Sequence, residues 1–451
     1  MGWFKTNFKW LYPGLRVKRW LLLALIGVIL SSWGLALILE AKWWTFLFFI
    51  GRFLEEQYIS YSSVMIAGVF FIILGLFMIS FSLKKGAKSI LNVIIPYNET
   101  RLVEVIYEKR QLKRGPKIVV IGGGTGLSVL LRGLKHYTSN ITAIVTVTDD
   151  GGCSGKLRGE LGILPPGDLR NNLMALADGD SLLEDLFNYR FSRGKGLEGR
   201  NLGNLLLAAM TDLTGDMNKS LQELSKVLAV RGTVLPSTLS NVILKAQMDD
   251  GSDVLGETEI VKHPGKIVRI QLVPEDCEPV GETLKAIQEA DAVIIGPGSL
   301  YTSIIPNLLI KGIADAVSKS SSQVYYVCNV MTQPGETDYF TAAEHVKAIK
   351  ANVPQLRIDK VIVNTGSIPK SHAERYRLKG AYPVILDERV FRQLGVKIHK
   401  ADLVNLSDLV RHDSDKLARV IMKEILKDIP ATERLKILDL LFGERYKDLI
   451  G

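Results

Sequence analysis

The chain has 451 residues, 47% of them hydrophobic, with a mean hydropathy of +0.17 and a net charge of +9; that is long enough for more than one domain and apolar enough for part of it to sit in lipid. The charge is uneven: Lys5, Lys9, Arg16, Lys18 and Arg19 precede the first apolar stretch without an acid, residues 84–117 are basic again, and the large remainder is near neutral, which argues for a membrane surface and against nucleic acid as the partner. Cys153, Cys277 and Cys328 are widely spaced, with no C-x-x-C or Cys/His cluster, so the pattern argues against a disulfide framework or a zinc site and for reduced, packed thiols.

Trp20–Leu39 carries no charge and, as a helix, spans roughly 30 Å, the thickness of a bilayer's hydrocarbon. A second uncharged stretch runs from Tyr58 to Leu83. Trp43–Gly51 between them is apolar but too short to cross, and suits an interfacial position with Trp43 and Trp44 as anchors. A cleaved signal peptide fits less well, because the apolar region is too long and no small-residue cleavage pattern closes it. Lys84, Lys85 and Lys88 follow the second stretch, so the positive-inside rule puts both termini in the cytoplasm. Residues 1–88 therefore read as a membrane anchor with two transmembrane helices, at about 20–39 and 60–83. Residues 89–116 read as a juxtamembrane linker.

From residue 117 onward, strand-like runs alternate with helical patterns. Strands are expected at 117–121, 141–147, 291–295, 323–328 and 359–363, and helices at 126–135, 169–177, 181–189, 202–210, 219–228, 282–290 and 341–350. This alternation predicts an α/β fold with a doubly wound, mostly parallel, Rossmann-like sheet. Residues 231–275, including Thr233–Pro236, read as a small antiparallel insertion. Residues 368–400 look irregular. Asp413–Leu426 and Ala431–Leu441 read as helices, which divides this part into a nucleotide-binding domain over 117–428 and a helical tail over 429–451.

The chemistry concentrates at the ends of the predicted strands. Lys117–Ile121 runs into Gly122, Gly123, Gly124, Thr125 and Gly126 and then into a helical pattern. A strand, a glycine loop and a helix together bind phosphate, because the backbone comes close and free N–H groups at the helix start face the anion. The spacing matches neither G-x-G-x-x-G nor a Walker loop, since position 127 is Leu127. The second strand leads into a polar loop with Asp149, Asp150 and Ser154; the paired carboxylates are candidates for Mg²⁺ or for sugar hydroxyls. Pro165-Pro166 introduces Asp168, a candidate N-cap, with Arg170 as a candidate phosphate partner and Asn171 beside it. Asn201 and Asn204 flank another turn. Gly296, Gly298 and Ser299 form a second small-residue loop after a strand, and Asn329 ends the next one. Two anion-binding loops suit a diphosphate, provided that they converge on one pocket. The histidines lie outside these loops, so nucleophilic catalysis has little support and no catalytic residue is named.

The segments I-G-G-G-T-G-L-S, T-D-D-G-G-x-S-G and P-P-G-D-L-R-N, together with Leu202–Ala209, Ile295–Ser303 and Asn329–Thr337, resemble the CofD-like superfamily. Within it they are more similar to the gluconeogenesis-factor proteins than to the phospholactate transferases. The similarity covers Lys117 to Arg411 and leaves the membrane segment outside. It implies a CofD-like fold and a UDP-sugar ligand, UDP-N-acetylglucosamine or UDP-glucose. It also implies a regulatory rather than enzymatic role, linked to gluconeogenic growth, cell-wall synthesis and cell shape, and a homo-oligomer. The alternative it carries is a Mg²⁺-dependent transferase moving a phosphate-linked group from a nucleotide donor, with Asp149 and Asp150 as metal ligands.

Overall fold

In the computed structural model the two apolar stretches form helices Lys18–Phe48 and Tyr61–Ile94, of 31 and 34 residues. The structure describes residues 18–48, 61–94, 110–178, 181–405 and 410–428, and the chain divides into two compact units between Ile106 and Tyr107. The expected helix Ala431–Leu441 and the tail 429–451 lie outside the described residues, as does most of the expected linker.

Both helices contain a stretch long and apolar enough to cross a membrane, Lys18–Leu39 and Val64–Gly86. They pack side by side through glycines. A Cβ on Gly27 would stand 2.8 Å from the Gly75 carbonyl oxygen, and one on Gly68 would stand 2.9 Å from that of Gly34. Small residues at these crossings let two backbones approach as they do in membrane helix pairs, where packing rather than hydrophobicity drives association. The Ser82 hydroxyl donates to the Trp20 carbonyl at 2.8 Å. Leu22, Ile29, Trp33, Ile66 and Phe77 point outward. Trp43–Phe48 continues the first helix, the remainder of the Trp43–Gly51 stretch lies outside the described residues, and the second helix runs beyond Leu83 to Ile94.

Among the described residues of the second unit, the strands of three residues or more are β1 Ile118–Gly122, β2 Ile141–Val145, β3 Thr233–Pro236, β4 Ile243–Met248, β5 Asp253–Leu255, β6 Ile267–Val273, β7 Ala292–Ile295, β8 Gln323–Val327, β9 Lys360–Asn364 and β10 Lys397–Ala401. Seven form one sheet in the order β10-β9-β8-β7-β1-β2-β3, and every pairing in it is parallel. The apolar runs Ile118–Ile121 and Ala292–Ile295 are fully buried, as expected of central strands covered on both faces. Helix Gly124–Leu134 packs on helices Pro166–Leu176 and Ser414–Asp428. The Ser414 hydroxyl fastens it by donating to the Val129 carbonyl at 2.9 Å. β4, β5 and β6 form the antiparallel insertion in the order β5-β4-β6.

Three local expectations are corrected. Thr233–Pro236 is the parallel edge strand β3 and not part of the insertion; its terminal proline is tolerated because an edge strand leaves one side unpaired. Residues 368–400 hold helices Lys370–Arg377 and Glu388–Leu394 and enter β10. The first of these helices buries no side chain, so it leaves no apolar stripe to read. The polar stretch after Asp150 becomes helix Gly152–Leu161.

Strand order reverses at β1: β2 and β3 extend to one side, and β7 to β10 extend to the other. The crevice beyond the carboxyl ends of β1 and β7 is the place where open α/β sheets bind ligands. The two glycine loops leave the sheet there.

Candidate functional site

The first loop leaves β1 through Gly123, in extended backbone, and turns at Gly124 with a φ of +65°, into helix Gly124–Leu134. That φ favours glycine. The second loop leaves β7 through Gly296, with a φ of +76°. The two loops meet backbone to backbone. A Cβ on Gly126 would lie 2.9 Å from the Pro297 oxygen and 3.2 Å from Gly298 Cα, and one on Gly298 would lie 3.1 Å from the Gly123 oxygen.

Side chains hold the loops in place. The Asn329 amide brackets Gly298, accepting from its N–H at 3.2 Å and donating to its oxygen at 2.8 Å. Gln333 Nε2 donates to Ser299 Oγ at 2.7 Å. Asp168 does not cap its own helix, whose N-cap is Pro165. Its Oδ2 instead accepts the Gly124 N–H at 2.6 Å, from 44 residues away in the chain. Burial pushes the Asp168 carboxyl up to about 6. The first-turn amides of Thr125 and Gly126 have no intrahelical acceptor.

The loops form one wall of a cleft of about 380 Å³. Gly123, Gly124, Thr125, Gly126, Gly298, Ser299 and Asn329 all line it. Val330, Met331, Tyr376 and Val410 give it an apolar part, and Lys379 and Arg411 give it positive charge. Lys379 and Arg411 are exposed, and among the described residues neither forms an ion pair. A half-dipole from the helix start, uncommitted amides and two cations make this cleft receptive to a polyanion.

The acidic residues lie on the other side of the first loop. Asp149 Oδ1 accepts from the Gly151 N–H at 2.9 Å, and burial raises its carboxyl. Asp150 Oδ1 accepts from the N–H and hydroxyl of Thr258 at 3.0 and 2.7 Å, which ties β2 to helix Glu257–Lys262 of the insertion. Ser154 is buried beside Asp149 and Gly167. Glu336 accepts from the Tyr301 N–H and the Thr302 hydroxyl, both at 3.3 Å. Burial pushes Glu336 up to about 7. Burial, followed by the charges of Asp149, Glu336, Asp168 and Asp150, pushes Glu257 up to about 9. Among the described residues, no three His, Cys, Asp or Glu side chains are grouped to hold a metal ion. Asp149, Asp150 and Asp168 each have one oxygen on a backbone donor.

Other predicted residues sit outside the larger cleft. Gly122 and Gly296 shape the turns from within the fold; the Gly296 N–H donates to the Ile121 oxygen at 2.8 Å. Arg170 is buried and donates to Asn171 Oδ1 at 2.5 Å and to the Phe187 oxygen at 3.4 Å. Asn171 lines a smaller neighbouring cavity. Asn201 caps helix Leu202–Thr214, accepting from the Asn204 N–H at 3.0 Å. Asn204 itself is buried in that first turn.

The family described as 2-phospho-L-lactate transferase CofD matches residues 118–404. The chain belongs to the CofD family. Its similarity to the gluconeogenesis-factor branch is stronger in extent. A putative gluconeogenesis factor from Nostoc is 48% identical over 92% of both chains, and one from Clostridium acetobutylicum is 42% identical over 97% of this chain and 96% of its own. The gluconeogenesis factor of Bacillus subtilis is 50% identical over 69% of this chain and 99% of its own length. A crystal structure of a Bacillus halodurans protein, 49% identical, superposes with a TM-score of 0.67 over 68% of this chain and 99% of its own. The CofD unit thus matches relatives of about its own size, whereas the Nostoc and Clostridium relatives align with nearly the whole chain.

Sequence reasoning missed Lys379, Arg411, Tyr376, Glu257 and, as an acid, Glu336. Glu336 sits inside the Asn329–Thr337 segment that carries the CofD resemblance. The other four had no motif around them.

The acidic network predicts a pH dependence. Glu257 is raised from 4.5 to about 9 on folding, so the folded state holds this proton more tightly than the unfolded chain does. That stabilisation is full below about 4.5 and is lost as the pH rises through about 9. Glu257→Gln keeps a neutral side chain at every pH. Its melting temperature should therefore exceed that of the unsubstituted protein by roughly 2–4 °C at pH 9 and match it at pH 5, as read by scanning calorimetry.

Proposed function

We propose that this CofD-family protein is a membrane-tethered receptor for a UDP-sugar, UDP-N-acetylglucosamine or UDP-glucose, that reports carbon status to cell-wall synthesis and cell shape. The observation that carries this reading is the meeting of the two glycine loops at the strand-order reversal, with Lys379 and Arg411 on the same cleft. A diphosphate needs donors from two directions: the Thr125 and Gly126 amides face it from the first loop, and the Ser299 hydroxyl, which accepts from Gln333 and keeps its own proton to donate, faces it from the second, with Lys379 and Arg411 beside them. The names of the relatives, gluconeogenesis factor, support a metabolic role. The two apolar helices and their basic flanks support a hairpin anchor over residues 1–88 that holds the CofD unit on the cytoplasmic side.

Isothermal titration of the full chain in detergent, with and without Mg²⁺, should give saturable binding of UDP-sugar with one site per chain. Absence of binding under both conditions contradicts the proposal. The transferase description of the family and the carboxylates beside the loop favour a second reading, a group transferase. Sustained release of nucleotide over many turnovers would select it, and a receptor releases none.

A further inference from the structure

A second cavity, of about 160 Å³, lies across Thr125 from the larger cleft. Thr125, Val129 and Arg411 line both. The geometry points to this smaller cavity as the subsite for the sugar ring of the nucleotide-sugar; the base lies in the larger cleft and the diphosphate rests at the Thr125–Arg411 junction. This rests on the function proposed above and specifies how its ligand is divided.

Three observations carry the assignment. The first is continuity: a diphosphate held at the junction sends one substituent to each side, and a cavity lies on each side. The second is the chemistry of the walls. The smaller cavity presents Asn171, Asn188, Ser128 and Arg132. Amide side chains both donate and accept, as the neighbouring hydroxyls of a sugar require. The larger cleft carries Val330, Met331, Tyr376 and Val410, which suit the faces of a flat heterocycle. The third is charge. Arg132 Nη2 is paired with Glu184 at 3.0 Å, so this cavity adds little net positive charge and suits a neutral ring rather than another phosphate. Asn171 is also pre-set: its Oδ1 is occupied by Arg170, which leaves its amide N–H groups to donate to a ring or hydroxyl oxygen. The volume agrees, since it is well below the roughly 300 Å³ at the lower limit for drug-sized ligands and admits one ring but not a base with its ribose.

The test compares UDP with UDP-glucose and UDP-N-acetylglucosamine by isothermal titration on the full chain in detergent. Asn188 is exposed, so Asn188→Ala leaves the fold intact, and Asn171→Ala is the second variant. Each should weaken UDP-sugar binding about tenfold and leave UDP affinity within twofold, so that the preference for the sugar conjugate shrinks. Equal weakening for UDP and UDP-sugar, or no change in either variant, overturns the subsite assignment while the receptor reading stands. Failure of the unsubstituted protein to bind UDP or any UDP-sugar overturns both.

Discussion

Arg411→Ala should lower the affinity for a UDP-sugar roughly a hundredfold and leave the melting temperature within about 1 °C. Arg411 is the cation common to both cavities, and its planar guanidinium can hold two phosphate oxygens at once. Removing one partner of a close charge pair in a complex typically costs a few kcal/mol, enough for a loss of this size. The side chain is exposed in the unliganded fold, so the fold does not depend on it. Lys379→Ala should cost less, about tenfold, because an ammonium acts as a point charge without the bidentate geometry. Titration calorimetry and thermal unfolding on the same preparations separate the two effects. A parallel drop in melting temperature would make Arg411 a structural residue and remove the main cation from the proposed cradle.

Gly126→Val should damage stability and ligand binding together. The first carbon added there already stands 2.9 Å from the Pro297 oxygen and 3.0 Å from its carbonyl carbon, and these are backbone atoms that cannot rotate away. Two further methyl groups force the loops apart at the point where β1 and β7 deliver them. Overpacking of this kind costs about 1–3 kcal/mol or more, and the same displacement dismantles the anion cradle. Ligand binding should be lost outright and the melting temperature lowered by several degrees. Gly159→Ala, at a position where an added Cβ meets nothing within 4 Å, should do neither and serves as the control.

The parts of this protein that could be read from sequence are those in which neighbours in the chain are neighbours in function. Ile118–Ile121 followed by five residues rich in glycine announces a buried strand and a phosphate-type turn, because period, composition and turn chemistry agree over one short stretch. The same holds for the two apolar helices and for the strand-to-loop passage at Gly296–Ser299. The convergence of the two loops could be expected from the α/β pattern, and their backbones do touch.

The unreadable parts depend on partners far apart in the chain. Asp168 looks like an N-cap locally, but its carboxylate reaches the Gly124 amide, and only the packing of helix Pro166–Leu176 against helix Gly124–Leu134 places it there. Asp149 and Asp150 read as a pair because they are adjacent. Successive residues in extended chain point to opposite sides, and one ends on Gly151 while the other ends on Thr258 of the insertion. Lys379 follows a helix with no buried face, and Arg411 sits in the two-residue ladder Arg411–His412 opposite Val404–Asn405. Neither has a periodic signal around it. Asn329 was expected to touch a ligand directly; the structure gives it the further job of bracketing Gly298.

The central claim is that one pyrophosphate rests on the wall of the larger cleft where the two glycine loops meet, and the most direct test is a structure of the full chain with a UDP-sugar bound. The account predicts phosphate oxygens within about 3.2 Å of the Thr125 and Gly126 amides on one side and of the Gly298–Ser299 loop on the other, with the Arg411 guanidinium closing over them. A nucleotide bound elsewhere would contradict it, as in the groove formed by Lys117, Asn140, Glu282 and Lys285 at the opposite ends of the strands, with the loops at 123–126 and 298–299 left untouched.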